Sequence, residues 1–256
     1  MAGRSSSSMS HTEIHFHLLP GLDDGPSSLG ESVELAAAAA REGTGTIIAT
    51  PHVNPEFVTD VSELGERLRE VVMRLAAARV PVRVLCGAEI AHTVVGGLSE
   101  WELDAIAHGP PGRRWVLLEA PLAGLDHTYT EAAEGLRSRG LAVVVAHPER
   151  SLGCSDEGWR VVEHELAAGS ALQVNAWSVA GLYGEWMRAI ALRLARTVPR
   201  VVLASEAHGG ARMPALRMGL DALAAAGVVD GLRLTDTVPR ALVEHGLAAR
   251  PSSLAA

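Results

Sequence analysis

Residues 141–150 read Leu-Ala-Val-Val-Val-Ala-His-Pro-Glu-Arg. The first six form a short, β-rich apolar run of the kind that makes a buried strand. Gly140 stands immediately before the run, where a preceding helix should stop. The amphipathic stretch over residues 130–139 supplies that helix. The run ends on His147, Glu149 and Arg150, so polar chemistry begins where the apolar strand ends.

The same unit recurs in both directions along the chain. Similar runs occupy residues 13–17, 46–50, 82–86, 115–118, 171–174 and 201–204. Helical stretches lie between them at 29–42, 61–79, 157–168, 185–197 and 214–226, and Gly43, Gly169 and Gly227 mark further stops. Strand–helix alternation argues for parallel β structure. About seven such units in one chain suggest a closed or nearly closed α/β barrel, with an open doubly wound sheet as the alternative. The expected organisation is a disordered, serine-rich lead-in over residues 1–11 and a single domain over residues 12–250.

Composition narrows the function. The chain has 256 residues, is 48% hydrophobic and carries a formal charge of −8. Nothing in that balance recommends nucleic acid or an anionic membrane as a partner. No apolar run is long enough to span a bilayer, and no secretory leader is legible, so neither membrane insertion nor secretion is expected. Two cysteines, Cys86 and Cys154, are too few for a disulfide scaffold, which points to a cytoplasmic protein. All 22 basic residues are arginine. Schiff-base catalysis, a Walker-type phosphate loop and a carbamylated-lysine metal bridge are therefore excluded, since each needs lysine.

The strand ends carry the chemistry. After the first come His15, His17, Asp23 and Asp24; after the second, His52; after the third, Glu89; after the fourth, Glu119; after the fifth, His147; after the seventh, Glu206 and His208. In an α/β barrel the carboxyl ends of the strands open onto one face. His15 and His17 also project to the same side of their strand, because side chains alternate with period two. Each piece alone is weak, but six strand ends bearing His, Asp or Glu point to a multi-metal site. Imidazole and carboxylate without thiolate suit manganese, iron or zinc.

Some patterns are set aside. Cys154 to Arg160 fits the C-x5-R loop of cysteine phosphatases, but Asp156 and Glu157 inside it would repel a phosphate. His11, His92, His108, His127, His164 and His245 lie off the pattern, with His127 expected nearest the site. Trp177 and Tyr183 follow the sixth strand and are candidates for lining a substrate cleft.

Residues 15–25 (HFHLLPGLDDG), the Ala-Thr-Pro-His ending at His52, and residues 87–90 (GAEI), 146–150 (AHPER), 173–176 (QVNA) and 204–208 (ASEAH) occur in that order. Together they resemble the PHP family. Within it they resemble the manganese-dependent tyrosine-protein phosphatases of bacterial capsule and exopolysaccharide operons, from residue 13 to about residue 245. The resemblance implies a single distorted (β/α)7 TIM-like barrel and three divalent metal ions, manganese foremost, with iron or zinc possible. It implies that His15, His17, Glu89 and Glu206 hold the first ion. Glu89 bridges to the second, which Glu119 and His147 also hold. Asp24, His52 and His208 hold the third. Arg150 and Arg212 match positions that bind the substrate phosphate. The implied activity is phosphomonoester hydrolysis on a phosphotyrosine protein, namely a tyrosine kinase of polysaccharide synthesis. A small-molecule phosphatase acting on a sugar or amino-alcohol phosphate is the first alternative, and a degenerate, non-catalytic barrel the second. Two departures stand out. Glu206 replaces the family's Asp, lengthening the side chain by a methylene, and Arg212 follows His208 by one residue fewer than the pattern.

Overall fold

The structure, a computed structural model, describes residues 10–58, 60–151 and 156–250, with the backbone alone at 156 and 157. Residues 1–9, which make up most of the expected lead-in, and Cys154 of the C-x5-R match lie outside the described residues. His11, assigned to the lead-in, instead begins the first strand.

The fold is α/β with parallel sheets. The strands are β1 His11–Phe16, β2 Thr44–Ala49, β3 His52–Val53, β4 Arg83–Cys86, β5 Glu89–Ala91, β6 Trp115–Glu119, β7 Ala142–Ala146, β8 Ala171–Asn175 and β9 Val201–Ala204. One sheet has the order β1-β2-β4, the other β3-β5-β6-β7-β8-β9, and every pairing is parallel. Two of the expected strands are interrupted. β2 passes into β3 across Thr50 and Pro51, and β4 into β5 across Gly87 and Ala88. Gly87 N still donates to Ala49 O and Glu89 N to Pro51 O, so the two tracks stay paired through the breaks. At the other edge, Glu206 N donates to His15 O at 3.1 Å and His17 N to Ala207 O at 2.9 Å. The chain just past β9 therefore lies beside the end of β1.

The helices are α1 Leu29–Arg41, α2 Leu64–Ala77, α3 Glu100–Ile106, α4 His127–Ser138, α5 Asp156–Ala167, α6 Ala176–Val179, α7 Glu185–Thr197, α8 Leu216–Ala225 and α9 Val238–His245. Their starts follow from capping chemistry. Asp126 accepts from Thr128 N at 2.9 Å to open α4, and Ser99 and Glu102 form a reciprocal capping box at α3. Gly140 (φ +79°) and Gly43 (φ +100°) end α4 and α1 in the left-handed region that glycine enters without strain. On α4, Tyr129, Ala133 and Leu136 recur at helical spacing and are buried.

Most of the strands are buried on both faces, with β4 the exception, since Arg83 is exposed and Val84 to Cys86 half-buried. Val143 and Val145 of β7 join the large cluster under the helices, while Ala142, Val144 and Ala146 face Ile14, Ile48, Trp115 and Leu117 in a second, inner cluster. Burying each such Val or Leu contributes roughly 1.5–3 kcal/mol. Leu242 and Leu247, from α9 and beyond, belong to the inner cluster, and Trp115 Nε1 donates to Leu242 O at 2.8 Å. Trp115 is the first residue of β6, so the C-terminal segment covers the amino ends of the strands. The carboxyl ends are left to the polar residues.

Candidate metal centre

Parallel pairing puts every strand's carboxyl end on one face, and the expected residues gather there. Glu89, fully buried, is the centre. Its Oε2 lies 3.0 Å from His15 Nε2, 3.3 Å from His17 Nε2 and 3.1 Å from His52 Nδ1, and its Oε1 lies 2.8 Å from His147 Nε2. His208 Nε2 and His52 Nε2 approach Asp24 Oδ1 at 3.2 and 3.7 Å. Two residues reach the site through strained backbone. His147 (φ +34°) follows β7 and Glu206 (φ +49°) follows β9, and both take the left-handed conformation that non-glycine residues rarely adopt.

These contacts fit a cation. Glu89 Oε2, His52 Nδ1 and His208 Nε2 are buried, yet none has a hydrogen-bonding partner among the described residues, although ionisable atoms crowd around them. Lone pairs aimed at one volume without aligned protons is what a metal site requires. The donor atoms form three groups, each with all its atoms within 4.8 Å of one another. They are His17, Asp24, His52 and His208; His15, Glu89 and His147; and His52, Glu89 and Glu119.

The outer nitrogens are anchored, which turns the inner ones toward the cluster. His17 Nδ1 meets Asp23 Oδ2 at 2.6 Å, His15 Nδ1 meets Gln173 Oε1 at 2.9 Å, and His208 Nδ1 meets Glu206 O at 2.7 Å. An imidazole that donates through Nδ1 keeps its Nε2 lone pair for a metal. Asp23 is itself locked by Gly25 N and His52 N, and Gln173 Oε1 also accepts from His147 N at 3.1 Å.

A family model described as capsular polysaccharide synthesis, CpsB/CapC, matches residues 11–227. The chain belongs to the CpsB/CapC family. Among its relatives is the tyrosine-protein phosphatase YwqE of Bacillus subtilis (strain 168), 32% identical over 197 residues, or 77% of this chain and 76% of YwqE. Another is the tyrosine-protein phosphatase CpsB of Streptococcus pneumoniae, 29% identical over 229 residues, 83% of this chain and 89% of CpsB. A solved structure from work on YwqE and CpsB, described as unique metal-dependent tyrosine phosphatases, superposes with a TM-score of 0.77. It is 27% identical and covers 94% of this chain and 97% of its own. The phosphotriesterase homology protein of Escherichia coli shares the fold, with a TM-score of 0.60 at 12% identity over 90% of this chain and 97% of its own.

In this CpsB/CapC member the ligand grouping differs from the expected partition. His17 falls with Asp24, His52 and His208 rather than with Glu206, and Glu206 is in none of the three groups. Both Glu206 oxygens are taken: Oε1 accepts from Arg150 Nη1 at 2.6 Å, and Oε2 accepts from Asn175 Nδ2. Arg212 reaches Asp24 Oδ2 despite the shortened spacing, because the tight turn closed by Arg212 N and Gly209 O at 2.8 Å folds it back. His127 is exposed at the start of α4 and belongs to none of the groups.

Electrostatics follow from burial and crowding. Burial alone would lower His17, but Asp23 and Glu89 reverse that and raise it to about 10. Burial likewise opposes the charge on His147, and Glu206 and Glu89 raise it to about 9. Burial, then Glu89, push Glu119 up to about 7. Burial would raise Glu89 too, but the surrounding imidazoles hold it well below the ordinary carboxylate range.

The supporting roles of Gln173, Asn175 and Glu149, whose buried Oε1 accepts from Asn175 N at 2.9 Å, were missed in the sequence, and Asp23, named there among the strand-end residues, supports His17. Asp23 carried a legible signal, since it adjoins Asp24. Gln173 and Asn175 sit two apart on β8, facing the same way as the ligand-bearing positions.

Proposed function

We propose that this protein is a metal-dependent protein-tyrosine phosphatase that hydrolyses phosphotyrosine on a tyrosine kinase of polysaccharide synthesis. The observation that carries the reading is the convergence of four imidazoles on buried Glu89, with Arg150 held nearby on Glu206, 3.9 Å from His147, and a rigid support behind each of several ligands. In the same reading the strand tracks close into a seven-stranded barrel, to which the backbone bonds between β1 and the residues after β9 contribute. Three divalent ions, manganese foremost, would be held on the face by His15, His17, Asp24, His52, Glu89, Glu119, His147 and His208, and by Glu206 once it exchanges Arg150 or Asn175 for an ion. Bound there, the ions would supply a water acidic enough to attack at neutral pH and neutralise charge on the phosphoryl oxygens.

The chain's own residues do the rest. Asp23 and Gln173 fix the imidazole rings of His17 and His15. Arg150, partly exposed at the rim, offers a planar fork that matches two phosphate oxygens. Arg212 stands beside Asp24. Between Asp24, His208, Pro26, Glu34 and Met213 opens a cleft of about 440 Å³, room for the chain that bears the phosphate.

A panel of tyrosine-phosphorylated peptides against sugar and amino-alcohol phosphates, run on manganese-loaded protein, tests the reading. Preferential release of phosphate from the peptides is expected. Arg150→Ala should lower kcat/KM on the order of 10²-fold with metal content unchanged. Turnover of the small phosphates alone, or of nothing, would overturn it.

A further inference from the structure

We propose that Tyr183, backed by Trp177, is an aryl platform that selects aromatic phosphomonoesters at this site. The inference rests on the phosphatase reading above and adds a residue that sets substrate class.

Tyr183 sits between α6 and α7, beyond the end of β8, on a turn its own backbone fixes. Leu182 N donates to Trp177 O at 3.0 Å, and Gly184 N to Gly181 O at 3.0 Å. Trp177 is anchored in turn, its N donating to Asn175 Oδ1 at 2.8 Å. The Trp177 and Tyr183 rings stack with centroids 6.4 Å apart and planes 25° from parallel. Tyr183 also meets Arg150, whose guanidinium carbon stands 5.0 Å from the ring centroid. The phenol also lies within the electrostatic reach of Glu206, Arg150 and Arg212. So a partly exposed aromatic ring, held from behind, stands next to the guanidinium assigned to the phosphate. Leu182 and Trp186, close to Tyr183 in the chain, are 54% and 68% exposed.

The geometry has a chemical consequence. A phosphate gripped by Arg150 would bring its ester group within reach of the Tyr183 ring. A planar aryl group can lie against that ring in an offset or edge-on contact, while an alkyl ester offers no matching face. The guanidinium over the ring fixes the plane further through a cation–π contact. A simpler role, in which Tyr183 only props Arg150, would affect every phosphate equally.

The two roles separate by comparing KM for a phosphotyrosine peptide with the inhibition constant of inorganic phosphate, which has no aryl group. The full-length, manganese-loaded chain is used as wild type, Tyr183→Leu and Tyr183→Phe. In Tyr183→Leu the ratio of KM to the phosphate inhibition constant should rise by roughly twofold to tenfold. Tyr183→Phe should stay near wild type, and bound metal should match in all three. A parallel rise of both constants would mean that Tyr183 merely holds Arg150, and the platform would be overturned. An unchanged ratio would overturn it as well, with the phosphatase reading intact. A wild-type protein that cleaves no phosphotyrosine peptide would overturn that reading, and the platform with it.

Discussion

Glu89 shows what single residues do here. A buried carboxylate surrounded by four imidazoles stays ionised because the rings around it supply the positive charge that water would otherwise screen. Those rings must give up their protons before they can bind a metal. His17 and His147 are raised to about 10 and about 9 without metal, so both rings hold a second proton at pH 7. Metal uptake should therefore release protons, and apparent manganese affinity should climb as pH rises through neutrality toward 9. The slope should be about tenfold per pH unit for each proton displaced. Calorimetric titration in two buffers of different ionisation enthalpy measures that release; identical heats in both would show that neither ring titrates on binding. At this scale the sequence was partly legible. His, Asp and Glu at strand ends mark themselves, because such side chains have no business in an apolar run. The pairings did not show, since they depend on distances between residues far apart in the chain. Arg150 on Glu206, Arg212 on Asp24 and Gln173 behind both His15 and His147 are of that kind.

Elements were legible where local chemistry decides them. The β-rich runs became strands, and the amphipathic stretches between them became α1, α2, α4, α5, α7 and α8 within a few residues of expectation. What escaped notice were short or tertiary-determined pieces. α3 depends on its capping box, α6 is a single turn, and α9 exists to cover the strand bottoms. The splitting of β2 from β3 and of β4 from β5 also went unseen, although Pro51 and Gly87 stand at the breaks and each disfavours regular pairing. One boundary can be tested directly. Gly140 joins α4 to β7 at φ +79°, with nothing within 4 Å of where a β-carbon would stand. Gly140→Ala therefore adds no clash, only the cost of a left-handed alanine, about 1–2 kcal/mol. Urea unfolding of metal-free wild type and variant should show that loss with an unchanged m-value. A neutral substitution would mean that the turn relaxes to negative φ without cost.

Across the whole molecule, the candidate ligands come from strands spread from β1 to the chain after β9, so one cluster of ions would tie together most of the sheet. Ions that bind the folded chain and not the unfolded one add stability, about 2.7 kcal/mol at a hundredfold excess over Kd for a single site. Exhaustive chelation should thus abolish phosphatase activity and lower the melting temperature, and manganese should restore both. Full activity, or an unshifted melting temperature, after chelation would break the link between the ions and the fold. The covered amino ends of the strands also receive both ends of the described chain. β1 starts there at His11, and Arg250 lies there too, against Gly169 just ahead of β8. Both ends of the described chain thus leave from the side turned away from the polar face. A fluorescent protein fused before residue 10, or a sensor chip coupled beyond residue 250, would hold the molecule by its back, with the substrate entrance pointing into solution.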